Sequence, residues 1–390
     1  MAVPTSSPPS PALGRALAGL GLADVESVRL LLRGGSVIDW HKLAFTSYEE
    51  VDRFLRVNEL DPDDDDDVSR LEDLRELAVE YLTRNFSFRI PPEVAEEIPA
   101  RELLMLASQK GRRQTYACIV LKVMHIIQHL AGRELLTKLP ISDDAFFHIV
   151  EGKVVKVVED IRAAGLPIVE FAWSRKEHDS LITKLLAKKQ TLAAHVYDKL
   201  RFRVITRSKD DIVPVLAELT QRIIPFNYVV PGESVNDLIA VDMLTQTAAA
   251  QVHLADLQPD AEPDPEPRPE RAPTPAAKLT QPINEFSAAD FKIVNFVADL
   301  PIRVDRLPGH QENPLYQELG PVVYVLTEFQ VVDAATAEAN ERGDASHTAY
   351  KERQKNRVKA RLTRGVHGLR DENNGRLPSS RPNDDPSSSG

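Results

Sequence analysis

The chain has a single cysteine, Cys118, in 390 residues. One thiol excludes an internal disulfide framework and any zinc site built from several cysteines. The sequence also lacks a secretory start. "MAVPTSSPPSPALGRALAGL" has no basic opening, and its Pro/Ser run interrupts any apolar signal core. No long hydrophobic run occurs. The best candidate, "ACIVLKVMHIIQHL", is too short to span a bilayer and contains Lys122, His125 and His129. An excess of positive charge is missing too. The net charge is −11, which argues against a general nucleic-acid binder. A soluble, cytoplasmic protein with no membrane partner is the expectation. The composition, 42% hydrophobic and 27% charged, is that of an ordinary globular protein.

The pattern along the chain changes near Pro140. Residues 1–12 form a Pro/Ser tail expected to be disordered, and residues 13–139 read as an all-α region. "ADVESVRLLLRGG" is expected to start at a capping Asp24 and to stop at Gly34-Gly35. The run Asp63 to Asp67 opens a long amphipathic helix, where carboxylates favour the macrodipole. It reads as a solvated helix start, because a calcium loop needs alternating ligands and a set glycine. His125 and His129 lie four apart on one helical face. Without a third ligand nearby they read as two half-buried imidazoles rather than a zinc site.

Residues 140–351 read as α+β, a mixed β-sheet flanked by helices. "PIVEFAWS" is a short strand, and "SRKEHDSLITKLLAKKQT" a basic helix. "VYDKLRFRVIT" alternates, with Val196, Asp198, Leu200, Phe202 and Val204 on one face and Tyr197, Lys199, Arg201, Arg203 and Ile205 on the other. "QPDAEPDPEPRPERAPTPAAKLTQP", at about 258–282, is too rich in Pro and acid to bury a core and is expected to be a disordered insert. Strands resume at "DFKIVNFVADLPIRVDR" and at "PVVYVLTEFQVVD", a β-branched run suited to a central strand. One helix, "AATAEANERGDASHTAYKERQKNRVKARL", follows. Residues 352–390 complete a basic helix end and a disordered tail.

Two carboxylates stand out. Asp198 and Glu328 each sit in an apolar, β-branched strand, where a charge is costly unless neutralised. From neighbouring strands they would share one Mg²⁺. The plainer alternative is an ion pair with Arg201 or Arg203, or exposure at an edge. Nearby, Lys176, Ser180 and Lys184 recur at steps of four, one polar stripe along a helix. With Arg175 and Arg203 this stripe could cradle a polyphosphate, although a solvated face is the commoner meaning of such a pattern.

These segments resemble the RelA/SpoT-type alarmone synthetase domain. "RKEHDSLITKL" looks like its nucleotide-binding segment, and "YDKLRFRVI" like its metal strand, with Asp198 at the metal position. "TEFQVVDAATAEANERGDASHTAYK" is similar to its Glu-x-Gln strand and the helix after it. Glu328, Gln330, Glu338, Glu341, Gly343, His347, Tyr350 and Lys351 then fall on family positions. The resemblance covers roughly residues 150–351. It implies a Mg²⁺-dependent transfer of pyrophosphate from ATP to a ribose 3′-hydroxyl of a guanosine nucleotide or related acceptor. Asp198 and Glu328 would be catalytic and hold the metal. Arg175, Lys176, Ser180, Lys184 and Arg203 would bind ATP phosphates. Tyr228, Gln330, His347 and Lys351 would line the acceptor site.

The sequence departs from the family at Val332, where an Arg is the rule, and at "FNYVVPGESVNDL", which lacks the Tyr that stacks on the acceptor base. No His-Asp metal pair of the companion hydrolase occurs in residues 1–140. A second reading is therefore a catalytically degenerate nucleotide-binding regulator or scaffold on the same fold. A third is an interaction protein, with the N-terminal helices as its binding module. "KERQKNRVKARLTRGVHGLR" could contact RNA, but a solvated helix end and tail is its plainer meaning.

Overall fold

The computed structural model describes residues 20–39, 43–187, 200–241, 244, 291–342 and 347–363. The insert at 258–282 and Asp198 lie outside them. Helix α1 (Leu22–Arg33) shows how sequence sets its ends. Asp24 is not the cap itself but the third helical residue, and its carboxylate accepts from Gly21 N–H at 3.0 Å. Gly34 ends the helix at φ 59°, a left-handed conformation that glycine adopts without strain. Helix α2 (Tyr48–Val57) is capped by Ser47. Helix α3 (Asp65–Phe86) is capped by Asp64, which accepts from the N–H groups of Asp66 and Asp67.

The acidic run is not wholly a solvated start. Asp67 is buried, accepts from Asp61 N–H at 2.8 Å and pairs with the largely covered side chain of Arg303, which also binds Asp305 at 2.9 Å. Burial alone would lower the Arg303 pKa; its two carboxylate partners outweigh that and raise it.

Helices α4 (Glu102–Ser108) and α5 (Arg112–Lys138) complete the helical layer. With α2 and α3 they enclose one core around Val51, Leu74, Leu103 and Val120. Helix α1 bridges the two cores, with Ala23 in this one. Its Val28 and Leu31, fully buried, join α6 (Asp143–Ala163) and α8 (Ile212–Arg222) in a second core against the sheet. The N-terminal helices are thus packed into the α+β part.

The sheet comprises β1 (Ile168–Arg175), β2 (Leu200–Thr206), β3 (Val235–Asn236), β4 (Val294–Arg303) and β5 (Val322–Asp333). Their order is β1-β2-β5-β4-β3, with β2 parallel to β5 and the other pairs antiparallel. The fold is therefore α+β with a mixed sheet flanked by helices, and the β-branched β5 lies at its centre.

Alternation gives the sheet two different faces. Phe202, Phe329 and Phe296 are register partners, and Phe171 joins them. Their rings form a row across four strands at centroid spacings of 5.9, 5.5 and 5.4 Å. The helices of the second core cover this face. On the other face α5 packs on the N-terminal half of β5 at very close range. A Cβ built on Gly132 would lie 2.4 Å from the Tyr324 ring.

A short helix, α9 (Leu315–Leu319), joins β4 to β5, and the long helix expected after β5 is broken. Asp333 caps α10 (Ala334–Asn340) by accepting from Thr336 N–H at 3.0 Å. Helix α11 (His347–Leu362) begins anew and packs on α7 (His178–Ala187), with Tyr350 and Val358 against Ala187. Lys176 precedes α7, so of the expected stripe only Ser180 and Lys184 share a helical face.

Candidate functional site

Beyond the reach of α5, the face of the sheet opposite the Phe row turns polar. The parallel register pairs Arg201 with Glu328 and Arg203 with Gln330. These four side chains stand on one face because each is flanked in its strand by residues of the apolar face. Arg201 Nε donates to Glu328 Oε2 at 2.7 Å, and Gln330 Nε2 donates to Glu328 Oε1 at 3.3 Å. Glu328 is only 7% exposed, so the charge-assisted bond to Arg201 is what makes its burial tolerable. Arg203 Nη1 lies 3.6 Å from Glu341 Oε1 at the end of α10.

Two polar atoms in this strip are buried without a hydrogen-bond partner among the described residues. They are Arg203 Nε, a donor, and Asn295 Oδ1, an acceptor on the β4 residue opposite Gln330. Asn295 was not among the expected site residues. The signal that marks Glu328 marks it too, since it is a polar residue in an apolar strand, "KIVNFVADL". One row further along β5, where the family carries Arg, Val332 is fully buried and pairs in register with Ile205. The polar strip ends there.

Other expected site residues are placed elsewhere. Arg175 aligns with Leu200 and shares the face of Trp173 and Phe202. It reaches α6, where Nε and Nη2 donate to the two carboxylate oxygens of Glu151 at 2.7 and 2.8 Å and its guanidinium lies over the Phe147 ring. The side-chain bond from Arg175 holds the Glu151 carboxyl below the usual range. Arg175 and Arg203 thus project to opposite faces of the sheet.

Tyr228 is internal. It is 5% exposed, and its ring lies 4.4 Å from that of His125 and 5.2 Å from that of His129. Its hydroxyl bonds that of Tyr324 at 2.7 Å. Burial pushes the Tyr228 pKa up, so the phenol stays protonated. A ring enclosed in this way is not available to stack on an acceptor base. His129 Nε2 bonds Asp299 Oδ2 at 2.8 Å, which gives the second imidazole a structural partner.

Lys176, Ser180 and Lys184 are half-buried around the start of α7. Helix α11 begins at His347, whose side chain lies outside the described residues, and the half-buried Lys351 follows one turn later. Among the described residues no three His, Cys, Asp or Glu side chains gather as a metal-binding group.

No family model matches the chain, and no curated protein matches it. Solved structures do. The chain is similar to small alarmone synthetase 2 from Bacillus subtilis, with 15% identity, 56% of this chain and 86% of that one covered, and a TM-score of 0.28. It is similar to small alarmone synthetase 1 from the same bacterium bound to its product pppGpp, with 14% identity, coverages of 55% and 82%, and a TM-score of 0.27. A GTP pyrophosphokinase family protein from Streptococcus pneumoniae gives 12% identity, coverages of 57% and 90%, and a TM-score of 0.25. Among the described residues no helix is long and apolar enough to cross a membrane.

Proposed function

We propose that this chain is a divergent pyrophosphotransferase that moves pyrophosphate from ATP to the ribose 3′-hydroxyl of a guanosine nucleotide or a related acceptor. The observation that carries this reading is the strip Arg201, Arg203, Glu328 and Gln330, brought to one face of the sheet by the parallel β2–β5 register. In the transfer the 3′-oxygen attacks the β-phosphorus of ATP, the bond from that phosphorus to the α,β-bridging oxygen breaks, and AMP leaves. Glu328 Oε1, held only by the longer Gln330 bond, is the oxygen suited to take the hydroxyl proton. Arg203 Nε, buried and unpartnered among the described residues, is a donor suited to a phosphate oxygen. Arg201 fixes the Glu328 carboxylate in place.

The donor chemistry of this strip suits Mg²⁺, which takes one or two carboxylates and completes its shell with water and substrate phosphates. Glu328 would be its ligand in the strip; Asp198, the expected second ligand, lies outside the described residues. When bound, the ion would neutralise charge on the triphosphate.

A second reading is a nucleotide-binding regulator that performs no transfer. It is favoured by Arg175 held by Glu151 on the opposite face, by the enclosed Tyr228 and by Val332 in the place of Arg. Purified protein incubated with Mg²⁺, γ-labelled ATP and GDP or GTP separates the two. Transfer yields a labelled 3′-pyrophosphorylated nucleotide and an equal amount of AMP, and Glu328→Gln loses both. Saturable ATP binding without product supports the second reading, and no ATP binding removes both.

A further inference from the structure

The two arginines of the strip are held very differently. Arg201 Nε donates to Glu328 Oε2 at 2.7 Å, the length of a charge-assisted hydrogen bond, and the Glu328 side chain is largely covered. Arg203 Nη1 meets the Glu341 carboxylate at 3.6 Å, too far for such a bond. The Glu341 side chain is 57% exposed and that of Arg203 32%. This second pair is held by Coulomb attraction alone, which water weakens at such exposure.

The backbone that carries Glu341 is, by contrast, fixed. Helix α10 is capped at its start by Asp333. At its end Asn340, only 4% exposed, donates from Nδ2 to the Lys292 carbonyl at 2.8 Å and accepts at Oδ1 from Lys292 N–H at 3.1 Å. This reciprocal pair ties the end of α10 to the chain entering β4. Glu341 is the next residue, so it is kept beside Arg203 while its side chain has open solvent to turn into. A tethered group acts at a high effective concentration although its own contact is weak. Weak contact and fixed tether together make an internal competitor for an anion. The short, covered Arg201–Glu328 bond has the opposite character, that of a structural pair.

We propose that Glu341 is an autoinhibitory latch. Its carboxylate occupies the place at Arg203 Nη1 that a ligand phosphate takes, and it turns into solvent when that phosphate binds. The latch rests on the reading that the strip binds phosphate. Calorimetric titration of the full chain with ATP and Mg²⁺ at low ionic strength tests it. Glu341→Gln should tighten ATP binding about two- to fivefold, the worth of an exposed ion pair, and the gain should shrink in high salt. Glu338→Gln, one turn earlier on α10, removes the same charge from a residue that pairs with Arg342 instead, and should leave the affinity unchanged. In an Arg203→Gln background ATP should bind more weakly, and Glu341→Gln should no longer tighten it. Binding that depends on Arg203 but is unchanged or weakened by Glu341→Gln overturns the latch and leaves the phosphate reading standing. An equal gain from Glu338→Gln also overturns it, because the effect is then one of net charge. No ATP binding, or binding indifferent to Arg203, removes the phosphate reading and the latch with it. If Arg203→Gln does not fold, the comparison of the two exposed glutamates decides alone.

Discussion

The two faces of the one sheet are built on different physics. The face that carries Phe171, Phe202, Phe329 and Phe296 is held by contact area. Dispersion and water exclusion are non-directional, so any residue of the right bulk serves. The opposite face carries Arg201, Glu328, Arg203 and Gln330 at the neighbouring positions of the same strands. There the groups depend on particular partners at particular distances, Glu328 on both Arg201 and Gln330. A buried ion pair adds little net stability, but losing one member is costly. The Phe face therefore serves stability, whereas the charged strip is kept at stability's expense, as expected of a site.

Adjacent residues of β5 give the sharpest test. Phe329→Ala should cost about 3–5 kcal/mol in urea unfolding, because it removes the centre of the ring row. Gln330→Ala, one residue away on the other face, should cost no more than about 1 kcal/mol. Similar losses at the two positions would break the distinction.

The next effect lies under the part of the polar face covered by α5. Burial makes His125 titrate near 3 in the folded protein, against its ordinary 6.5. Below pH 6.5 the unfolded chain takes up a proton that the folded one refuses. Stability is thus complete at neutral pH and falls by up to about 1.4 kcal/mol per pH unit toward pH 3. At pH 5 the loss should be about 2 kcal/mol. His125→Gln, which keeps an acceptor for the Asn227 side-chain amide, should flatten the profile between pH 6.5 and 5. An unchanged slope would show that the imidazole is protonated in place.

In the charged strip, Glu328→Gln should cost roughly 1–2 kcal/mol, since it leaves Arg201 without its carboxylate. The double change Arg201→Met, Glu328→Leu should recover most of that loss. Additive losses, measured as a double-mutant cycle, would mean that the pair is not what holds the strip together. The smallest effect is at Glu151. Its carboxyl lies below the usual range because of Arg175, so the stability of this pair is full above the ordinary carboxylate pKa. It is lost as pH falls through the lowered value. Arg175→Met should lower stability at pH 7 by that contribution, less than about 1 kcal/mol for a partly exposed pair, and the difference from the unsubstituted protein should vanish as pH falls through the lowered value.

Much of the Phe face could be read from the sequence. Strands β2, β4 and β5 follow from alternation and β-branching, and the same alternation put Arg201 and Arg203 on a common face. What escaped depends on distant contacts. The side of the sheet that Arg175 takes is set by how β1 pairs with β2, which no local pattern encodes. Tyr228 sits in a short segment between α8 and β3, and only α5 and Tyr324 of β5, distant in sequence, make it internal. Asp67 looks like its acidic neighbours until Arg303, 236 residues later, meets it. Lys176 keeps helical spacing with Ser180 and Lys184, yet the chain is still leaving β1 when it reaches that residue. Asn295 carries the same signal as Glu328, a polar residue in an apolar strand, without the charge that makes Glu328 conspicuous.

The parallel pairing of β2 with β5 has a consequence for how the protein is made. Arg201 and Glu328 are 127 residues apart. At about 5–20 residues per second, a ribosome needs roughly 6–25 s to add that length. Throughout that interval β2 has emerged while its inner neighbour does not yet exist, so one strand edge and the rings of Phe171 and Phe202 lack the partners that later cover them. Unpaired edges of this kind invite association with other chains. The nascent protein therefore passes through a stage in which shielding by a chaperone matters more than at any time after β5 has docked.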